Sequence, residues 1–95
     1  MTNEIKIMDF CINFAEDKDI AKAIREDYII KYIISKEKVI LNLKEIDSST
    51  QSFIHALISE IFQKYGETAL NLVEFKNCNV AIKSLIATVI NYSLE

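Results

Sequence analysis

The sequence predicts a small α/β fold with the element order β-α-β-α-β-α, on three observations. Short apolar segments rich in β-branched residues alternate with longer segments whose apolar residues recur every three or four positions. The chain has 51% hydrophobic residues, one glycine and no proline, which is typical of a compact chain rich in helices and strands. At 95 residues it can bury one modest core. Strands joined by helices favour a largely parallel or mixed sheet, and we expect the helices to pack mainly on one face of it.

Three segments have the pattern of strands. Residues 5–12 (IKIMDFCI) place Ile5 and Ile7 in a rough period of two, which indicates a strand. Residues 39–43 (VILNL) are short, β-branched and almost entirely apolar, as expected of a central buried strand. Residues 70–75 (LNLVEF) alternate apolar and polar positions and predict the third strand.

Three helices are predicted between and after these strands. The first begins at Asp17, where acidic residues precede an apolar stripe, and ends at a loop over residues 35–38. The second ends at Gly66, which is well placed as a C-cap, and the third begins after Asn77 or Asn79, either of which can cap it. The three apolar stripes are Ile20, Ala23, Ile24, Tyr28 and Ile33 or Ile34; Phe53, Ile54, Leu57, Ile58, Ile61, Phe62 and Tyr65; and Ile82, Leu85, Ile86, Val89 and Ile90.

Charge and segment lengths exclude several classes of protein. We interpret residues 1–95 as one domain, because no linker, repeat or low-complexity segment divides them. The net charge of -3 and the pI near 5.2 oppose binding to nucleic acid, which needs clustered lysine and arginine. The N-terminal residues lack a secretory signal, and the longest apolar clusters are far shorter than a membrane span. We therefore expect a cytoplasmic protein that binds neither nucleic acid nor membrane, with Cys11 and Cys78 reduced and buried.

The residue inventory favours a protein that is not an enzyme. His55 is the only histidine, it lies within the predicted second helix, and no motif pairs it with a nucleophile. The two cysteines stand alone in the sequence, so no metal ligands are predicted. One glycine is too few for a phosphate-binding loop or a dinucleotide fingerprint, so no cofactor is predicted. An enzyme that uses a cysteine or His55 is therefore the hypothesis that the sequence supports least, behind the two given at the end of this subsection.

Residues 45–53 (EIDSSTQSF), hereafter the hydroxyl-rich segment, carry the strongest functional signal. They lie where a strand should end and a helix should begin, and a side-chain oxygen there accepts a hydrogen bond from a free backbone N–H. The same helix N-terminus would also favour an added phosphate. Capping accounts for one or two of the polar side chains in the segment. The segment has five of them: Asp47, Ser48, Ser49, Thr50 and Ser52.

Residues 39–62 (VILNLKEIDSSTQSFIHALISEIF) and 70–90 (LNLVEFKNCNVAIKSLIATVI) resemble the STAS-like group, which is related to bacterial anti-sigma-factor antagonists. The resemblance covers residues 20–93 and is clearest in the last two-thirds of them. It implies a STAS-like domain over residues 1–95, in which an L-D-L strand leads to an Asp-Ser-Ser-Gly step that opens a helix. In the family, a partner kinase phosphorylates a serine of this step, and phosphorylation blocks binding.

Two registers place the family's step on this sequence. Residues 47–49 reproduce the letters Asp-Ser-Ser, whereas an alignment that starts from the strand puts residues 50–53 on Asp-Ser-Ser-Gly. We prefer the second register because it makes Ile54 the first core residue of the helix. The first register would bury the polar Gln51 instead, which is costly.

The preferred register implies that Ser52 is the phosphoacceptor, with Ser49 as the second candidate. Thr50 and Phe53 then stand where the family has aspartate and glycine. The resemblance also implies a protein partner, by analogy an ATP-binding kinase-like regulator. The side chains expected to contact that partner are Ser48, Thr50, Gln51 and His55.

The leading interpretation is therefore a non-enzymatic regulatory module of bacterial signalling, which binds a protein partner and is switched by serine phosphorylation. The alternative is a structural homodimer, or a subunit of a larger complex, without a phosphorylation switch. In that alternative the interface is the apolar face of the third helix. We expect that face to expose Leu85, Val89 and Ile90 in the monomer.

Overall fold

The computed structural model describes residues 3–11 and 14–94, and within them it has five strands and four helices. A 3-10 turn, Ile7–Asp9, follows the first strand. The strands are β1 (Asn3–Lys6), β2 (Phe14–Ala15), β3 (Val39–Asn42), β4 (Ser48–Ser49) and β5 (Val73–Lys76). The helices are α1 (residues 18–34), α2 (residues 51–65), α3 (Glu67–Leu72) and α4 (Val80–Ser93). The predicted α/β class is confirmed.

The strands form two parallel sheets. The larger has the order β1-β3-β5, and the smaller pairs β2 with β4. In the larger sheet Ile5 lies opposite Leu41, which lies opposite Phe75. Parallel neighbours need crossover connections, and α1 lies between β1 and β3 in the chain while α2 and α3 lie between β3 and β5.

The larger sheet has one apolar face and one polar face. Ile5, Leu41 and Val73 are buried, whereas the alternate residues Glu4 and Glu74 are exposed. Side chains of a strand point alternately to opposite faces, so the helices cover the first face and leave the second open. The prediction that the helices pack mainly on one face is confirmed.

Two predicted strands differ from the structure. Residues 5–12 were expected to be extended, but β1 ends at Lys6, the chain turns at Ile7–Asp9, and residue 12 lies outside the described residues. Residues 70–75 are helical as far as Leu72 and extended only from Val73. Leu70 and Leu72 are two residues apart, which fits a strand. The side chains that face the core are instead three residues apart, as in a helix: Ala69 is fully buried and Leu72 is partly buried.

Helices α1 and α2 each contain one turn of π-helix in their middle. In α1 the π-helical turn is Arg25–Ile29, and in α2 it is His55–Ser59. Helices α1 and α4 both contact α2 at its π-helical turn. There the buried Ser93 hydroxyl of α4 donates to the Val89 carbonyl at 2.6 Å and lies 3.0 Å from the Ser59 hydroxyl, which is placed to donate to it. The packing of the helices is therefore centred on α2.

The open face of the larger sheet carries a polar network. Asn42, which is buried on the middle strand, donates through Nδ2 to Glu4 Oε2 at 3.1 Å and accepts at Oδ1 from Asn77 Nδ2 at 3.0 Å. Lys76 Nζ lies 3.3 Å from Glu4 Oε1. The hydrogen bonds from Asn42 and Lys76 hold the pKa of Glu4 below its ordinary value of 4.5. The network links all three strands.

Replacement of Gly66 by alanine should destabilise the protein through the backbone alone. Gly66 ends α2 at φ 53° and ψ -123°, and no heavy atom outside its chain neighbours lies within 4 Å of the position a Cβ would take. Residues with a side chain are strained in such a conformation by about 1–3 kcal/mol. Urea unfolding should report that loss for Gly66→Ala, whereas the exposed control Thr68→Ala should stay within about 0.5 kcal/mol of wild type. Equal stabilities for the two variants would contradict the strain.

The open-face network should also make stability depend on acid pH. Because folding lowers the pKa of Glu4, its contribution is present above the ordinary value of 4.5 and is lost as the pH falls through the lower, folded value. Stability should therefore fall less steeply below that pH in Glu4→Gln than in wild type, as measured by urea unfolding at a series of pH values. The exposed control Glu37→Gln should keep the wild-type slope. An unchanged slope in Glu4→Gln would show that the network does not stabilise the carboxylate.

Candidate functional site

The start of α2 is fixed by Thr50. Its backbone is extended, with φ -78° and ψ 154°, and its Oγ1 accepts a hydrogen bond from the N–H of Phe53 at 3.1 Å. Thr50 is therefore the N-cap, the role that capping predicts for one hydroxyl of the segment. In the preferred register it occupies the position of the family's aspartate. Gln51 and Ser52 follow it in the first turn, and both are exposed.

The residues before the cap are held by the smaller sheet. Ser48 and Ser49 form β4, which pairs with Phe14 and Ala15 of β2. The N–H of Thr50 continues this pairing by donating to the Ala15 carbonyl at 3.0 Å. The Ser49 hydroxyl donates to the Thr50 carbonyl at 3.0 Å, so Ser49 is engaged and only partly exposed. The hydroxyl-rich segment is thus a strand followed by a capped helix.

A second cap connects this segment to α4. Asn79 Oδ1 accepts from the N–H of Ile82 at 2.9 Å, and its Nδ2 donates to the carbonyls of Asp47 at 2.7 Å and Ile46 at 3.3 Å. Of the two asparagines that the sequence offered as caps, Asn79 is the one used. Its side chain ties the start of α4 to the residues that precede β4.

A surface cavity of about 460 Å³, hereafter the α2 cavity, opens beside the first two turns of α2. It brings together the start of α1, the start of α2 and the end of α4. The His55 and Tyr92 rings form its stacked wall, with centroids 5.9 Å apart and an interplanar angle of 23°. Its lining residues are Lys18, Gln51, Ser52, His55, Ala56 and Tyr92.

The predicted site residues divide between the cavity and the strand beside it. Gln51, Ser52 and His55 line the α2 cavity, whereas Ser48, Ser49 and Thr50 lie on the chain that leads to it and are not among its lining residues. Gln51 is exposed and Ile54 is buried, as the preferred register requires. Phe53 is buried too, however, with 0% of its surface exposed, so Ile54 is not the first core residue of the helix. The assignment of Ser52 as phosphoacceptor stays a prediction.

Sequence reasoning missed Lys18 and Tyr92. Both lie far in the chain from the hydroxyl-rich segment and reach the cavity only through the fold. Tyr92 occupies the end of α4, outside the apolar stripe, and one turn separates it from Val89. The position of Tyr92, an aromatic residue just beyond the apolar stripe of α4, was the one feature of the sequence that could have indicated its role in the cavity.

Arg25 is the third residue that the sequence analysis passed over. It is the only arginine of the chain, it is 7% exposed, and it lies on the buried stripe four residues after Ala21. Its Nη1 donates to the Ala56 carbonyl at 2.7 Å, and its Nη2 lies 2.9 Å from Glu60 Oε2. Because Ala56 lines the α2 cavity, Arg25 supports the cavity wall from within.

The cysteines lie apart from the α2 cavity. Both are partly buried, and burial raises the pKa of the Cys11 thiol and of the Cys78 thiol above 9.0. Neither lines the cavity that holds His55. Among residues 3–11 and 14–94, no three histidine, cysteine, aspartate or glutamate side chains are grouped so that they could hold a metal ion.

The expected apolar face of α4 is not exposed as predicted. Val89 is 0% exposed and belongs to the core, and Leu85 and Ile90 are partly buried. Val80 is instead the most exposed of the large hydrophobic side chains of α4, with 86% of its surface exposed. The expected exposure is therefore wrong for Val89, which cannot contribute to an interface, whereas Leu85 and Ile90 keep part of their surface exposed.

The fold and the position of the capped step define a small parallel α/β domain of the STAS-like class, with a strand that leads into a helix whose first turn is exposed. Residues 21–83 match the model of the family described as a STAS-like domain of unknown function (DUF4325), and the chain belongs to that family. No curated protein and no solved structure matches the chain. No helix formed by the described residues has the length and apolar character needed to cross a membrane.

The contact between Arg25 and Ala56 should matter more to stability than the ion pair between Arg25 and Glu60. Arg25→Met keeps most of the buried volume but removes a charge-assisted hydrogen bond, which is worth about 1.5–3 kcal/mol. Glu60→Gln removes only an exposed partner, since the Glu60 side chain is 68% exposed, and should cost less than about 1 kcal/mol. Denaturant unfolding of both variants separates the two contributions. A loss in Glu60→Gln as large as that in Arg25→Met would assign the stabilisation to the ion pair.

Proposed function

We propose that the protein is a non-enzymatic, cytoplasmic regulatory module that binds a protein partner through the start of α2 and is regulated by phosphorylation of Ser52. The observation that carries the proposal is the placement of Ser52. It is exposed on the first turn of α2 and lines the α2 cavity, while the adjacent Phe53 anchors the turn in the core. A rigid helix thus presents an accessible hydroxyl at its N-terminus.

The surroundings of Ser52 have the composition of a partner-binding surface. Gln51 and His55 are exposed beside it and offer polar contacts. Tyr92 is 37% exposed on the cavity wall, and Phe14, opposite Ser48 in the smaller sheet, is 44% exposed. Aromatic side chains supply much of the binding energy at protein interfaces. This combination supports a protein partner rather than a small-molecule substrate.

Ser52 is better placed than Ser49 to accept a phosphate. The Ser49 hydroxyl donates to the Thr50 carbonyl and lies in the paired strand β4. Ser52 lies outside that pairing, on the second helical position after the cap Thr50. A phosphate there would add about -2 charges at a positive helix terminus and next to Lys18 on the same cavity. The added charge and bulk would occupy the surface offered to the partner.

The class of partner follows from the family relationship. Anti-sigma-factor antagonists, to which the STAS-like group is related, are phosphorylated at this step by the kinase that they bind. An ATP-binding kinase-like regulator is therefore the partner that we propose, and a bacterial signalling pathway is the setting. The chain itself contributes the docking surface and the phosphoacceptor, and the partner contributes the nucleotide and the phosphoryl transfer.

Ser52→Asp should weaken partner binding about tenfold or more, because it places a negative charge within the contact. The tagged wild type, Ser52→Asp and Ser52→Ala are each used to capture proteins from the native cells, and captured proteins are quantified by mass spectrometry. The wild type and Ser52→Ala should recover the same ATP-binding protein. The matched control is Ser84→Asp, since Ser84 is exposed on α4 eight residues from Tyr92, about 12 Å along the helix. Equal recovery by Ser52→Asp and wild type would contradict regulation at this position.

Denaturant unfolding of the same variants separates a binding defect from a folding defect. An aspartate in the first turn of a helix is stabilising by about 0.3–1 kcal/mol, so Ser52→Asp should unfold no more easily than wild type.

A phosphorylation assay identifies the modified serine. The captured partner is incubated with wild-type protein and ATP, and the modified residue is identified by peptide mass spectrometry. Phosphate on Ser52 supports the preferred register, whereas phosphate on Ser49 would favour the register that follows the letters Asp-Ser-Ser.

A further inference from the structure

The outer edge of β5 is unpaired within the described residues, since β5 pairs with β3 and the sheet ends there. The N–H of Leu43 donates to the Lys76 carbonyl at 2.8 Å, so Lys76 turns its backbone groups toward β3. Backbone groups alternate in direction along a strand, so Glu74 also faces β3 and Phe75 turns its N–H and carbonyl outward. An open edge of this kind is a template for another strand.

The charges of β5 are complementary to a second copy of the same strand in antiparallel orientation. If two β5 strands pair about a two-fold axis at Phe75, Glu74 of each copy lies opposite Lys76 of the other. The backbone N–H and carbonyl groups of Glu74 and Lys76 point toward β3 and away from the second copy. In the β5–β5 pair these two residues would therefore occupy non-hydrogen-bonded positions, where opposing side chains are closest. The Glu74 and Lys76 side chains are about half exposed on the open face of the sheet, where they form exposed ion pairs with Lys38 and Glu4 of their own chain.

The apolar face of β5 fits the same arrangement. A groove of about 350 Å³ runs between β5 and α4, and Phe75, Ile86 and Ile90 supply its apolar lining. Phe75 is only partly buried there. In the two-fold pair the Phe75 side chains of both copies lie side by side on this face, because directly opposed residues point to the same side of a sheet. Aromatic pairs of this kind add to the area that association buries.

We propose that the protein forms a symmetric homodimer by antiparallel pairing of β5 with β5, which joins the two three-stranded sheets into one of six strands. The other edge strand, β1, has a similar alternation of Glu4 and Lys6. Glu4, however, also accepts a hydrogen bond from the buried Asn42 of its own chain, at 3.1 Å. Among the residues that the structure describes, the one ion-pair partner of Glu74 is the exposed Lys38, at 3.4 Å. The dimer does not depend on the function proposed for Ser52.

Charge reversal on β5 tests the dimer by sedimentation velocity over a range of protein concentrations. In E74K the opposed pairs become lysine against lysine, and in K76E they become glutamate against glutamate. Each single variant should therefore raise the dimer dissociation constant about tenfold. An equimolar mixture of E74K and K76E should recover dimers, because one copy then presents two lysines to two glutamates of the other. This rescue distinguishes β5 pairing from damage to the individual chains.

Two further measurements fix the location of the interface. K38E removes the same ion pair within the chain as E74K but lies outside β5, and it should dimerise as wild type does. The outward N–H of Phe75 should exchange with deuterium more slowly as the wild-type concentration rises. A monomer at every concentration would overturn the proposal. So would a dimer whose dissociation constant is the same in wild type, E74K and K76E, since its interface would then lie elsewhere.

Discussion

The candidate site depends above all on two of the hydrogen bonds made by Thr50, those of its N–H and its Oγ1. Its N–H donates to the Ala15 carbonyl as the last hydrogen bond between the chain segments of β4 and β2, and its Oγ1 accepts from the N–H of Phe53 and so begins α2. One residue thus converts an extended chain into a helix at a fixed place relative to the start of α1. Phe53 then packs in the core and sets the rotation of the helix, which leaves Ser52 outward. Without this junction, Ser52, His55 and Lys18 would have no common cavity.

The interior supports this junction through one buried charge. Arg25 reaches from α1 to the Ala56 carbonyl in the π-helical turn of α2, and its charge is neutralised by Glu60 at the surface. Its Nε is buried without a hydrogen-bond partner, which costs free energy, so the contact does not serve stability alone. Buried polar contacts of this kind can fix one relative position of two helices where apolar packing would allow several. We interpret Arg25 as a residue that positions α2 against α1.

Much of the fold followed from periodicity, and the failures have physical causes. The stripes of α1, α2 and α4 were predicted because each helix buries one face and exposes the other, and the strand VILN was predicted because it is almost entirely apolar. The segment before Val73 was misjudged because the short helix Glu67–Leu72 contains leucines two residues apart, a spacing that also fits a strand. The cavity could be predicted only in part, since Lys18 and Tyr92 reach it from distant segments. Exposure was misjudged at Val89, because a stripe in the sequence does not reveal which neighbour covers it.

The two proposed surfaces use different parts of the molecule and are compatible with each other. Pairing through β5 would involve Phe75, Ile86 and Ile90, none of which lines the α2 cavity. A dimer would therefore keep two copies of the surface around Ser52 available. A partner that is itself dimeric could engage both copies, and the second contact would then form within the complex at a high effective concentration. Phosphorylation of a single Ser52 would in that case leave only one contact with the partner, and the affinity gained from the second contact would be lost.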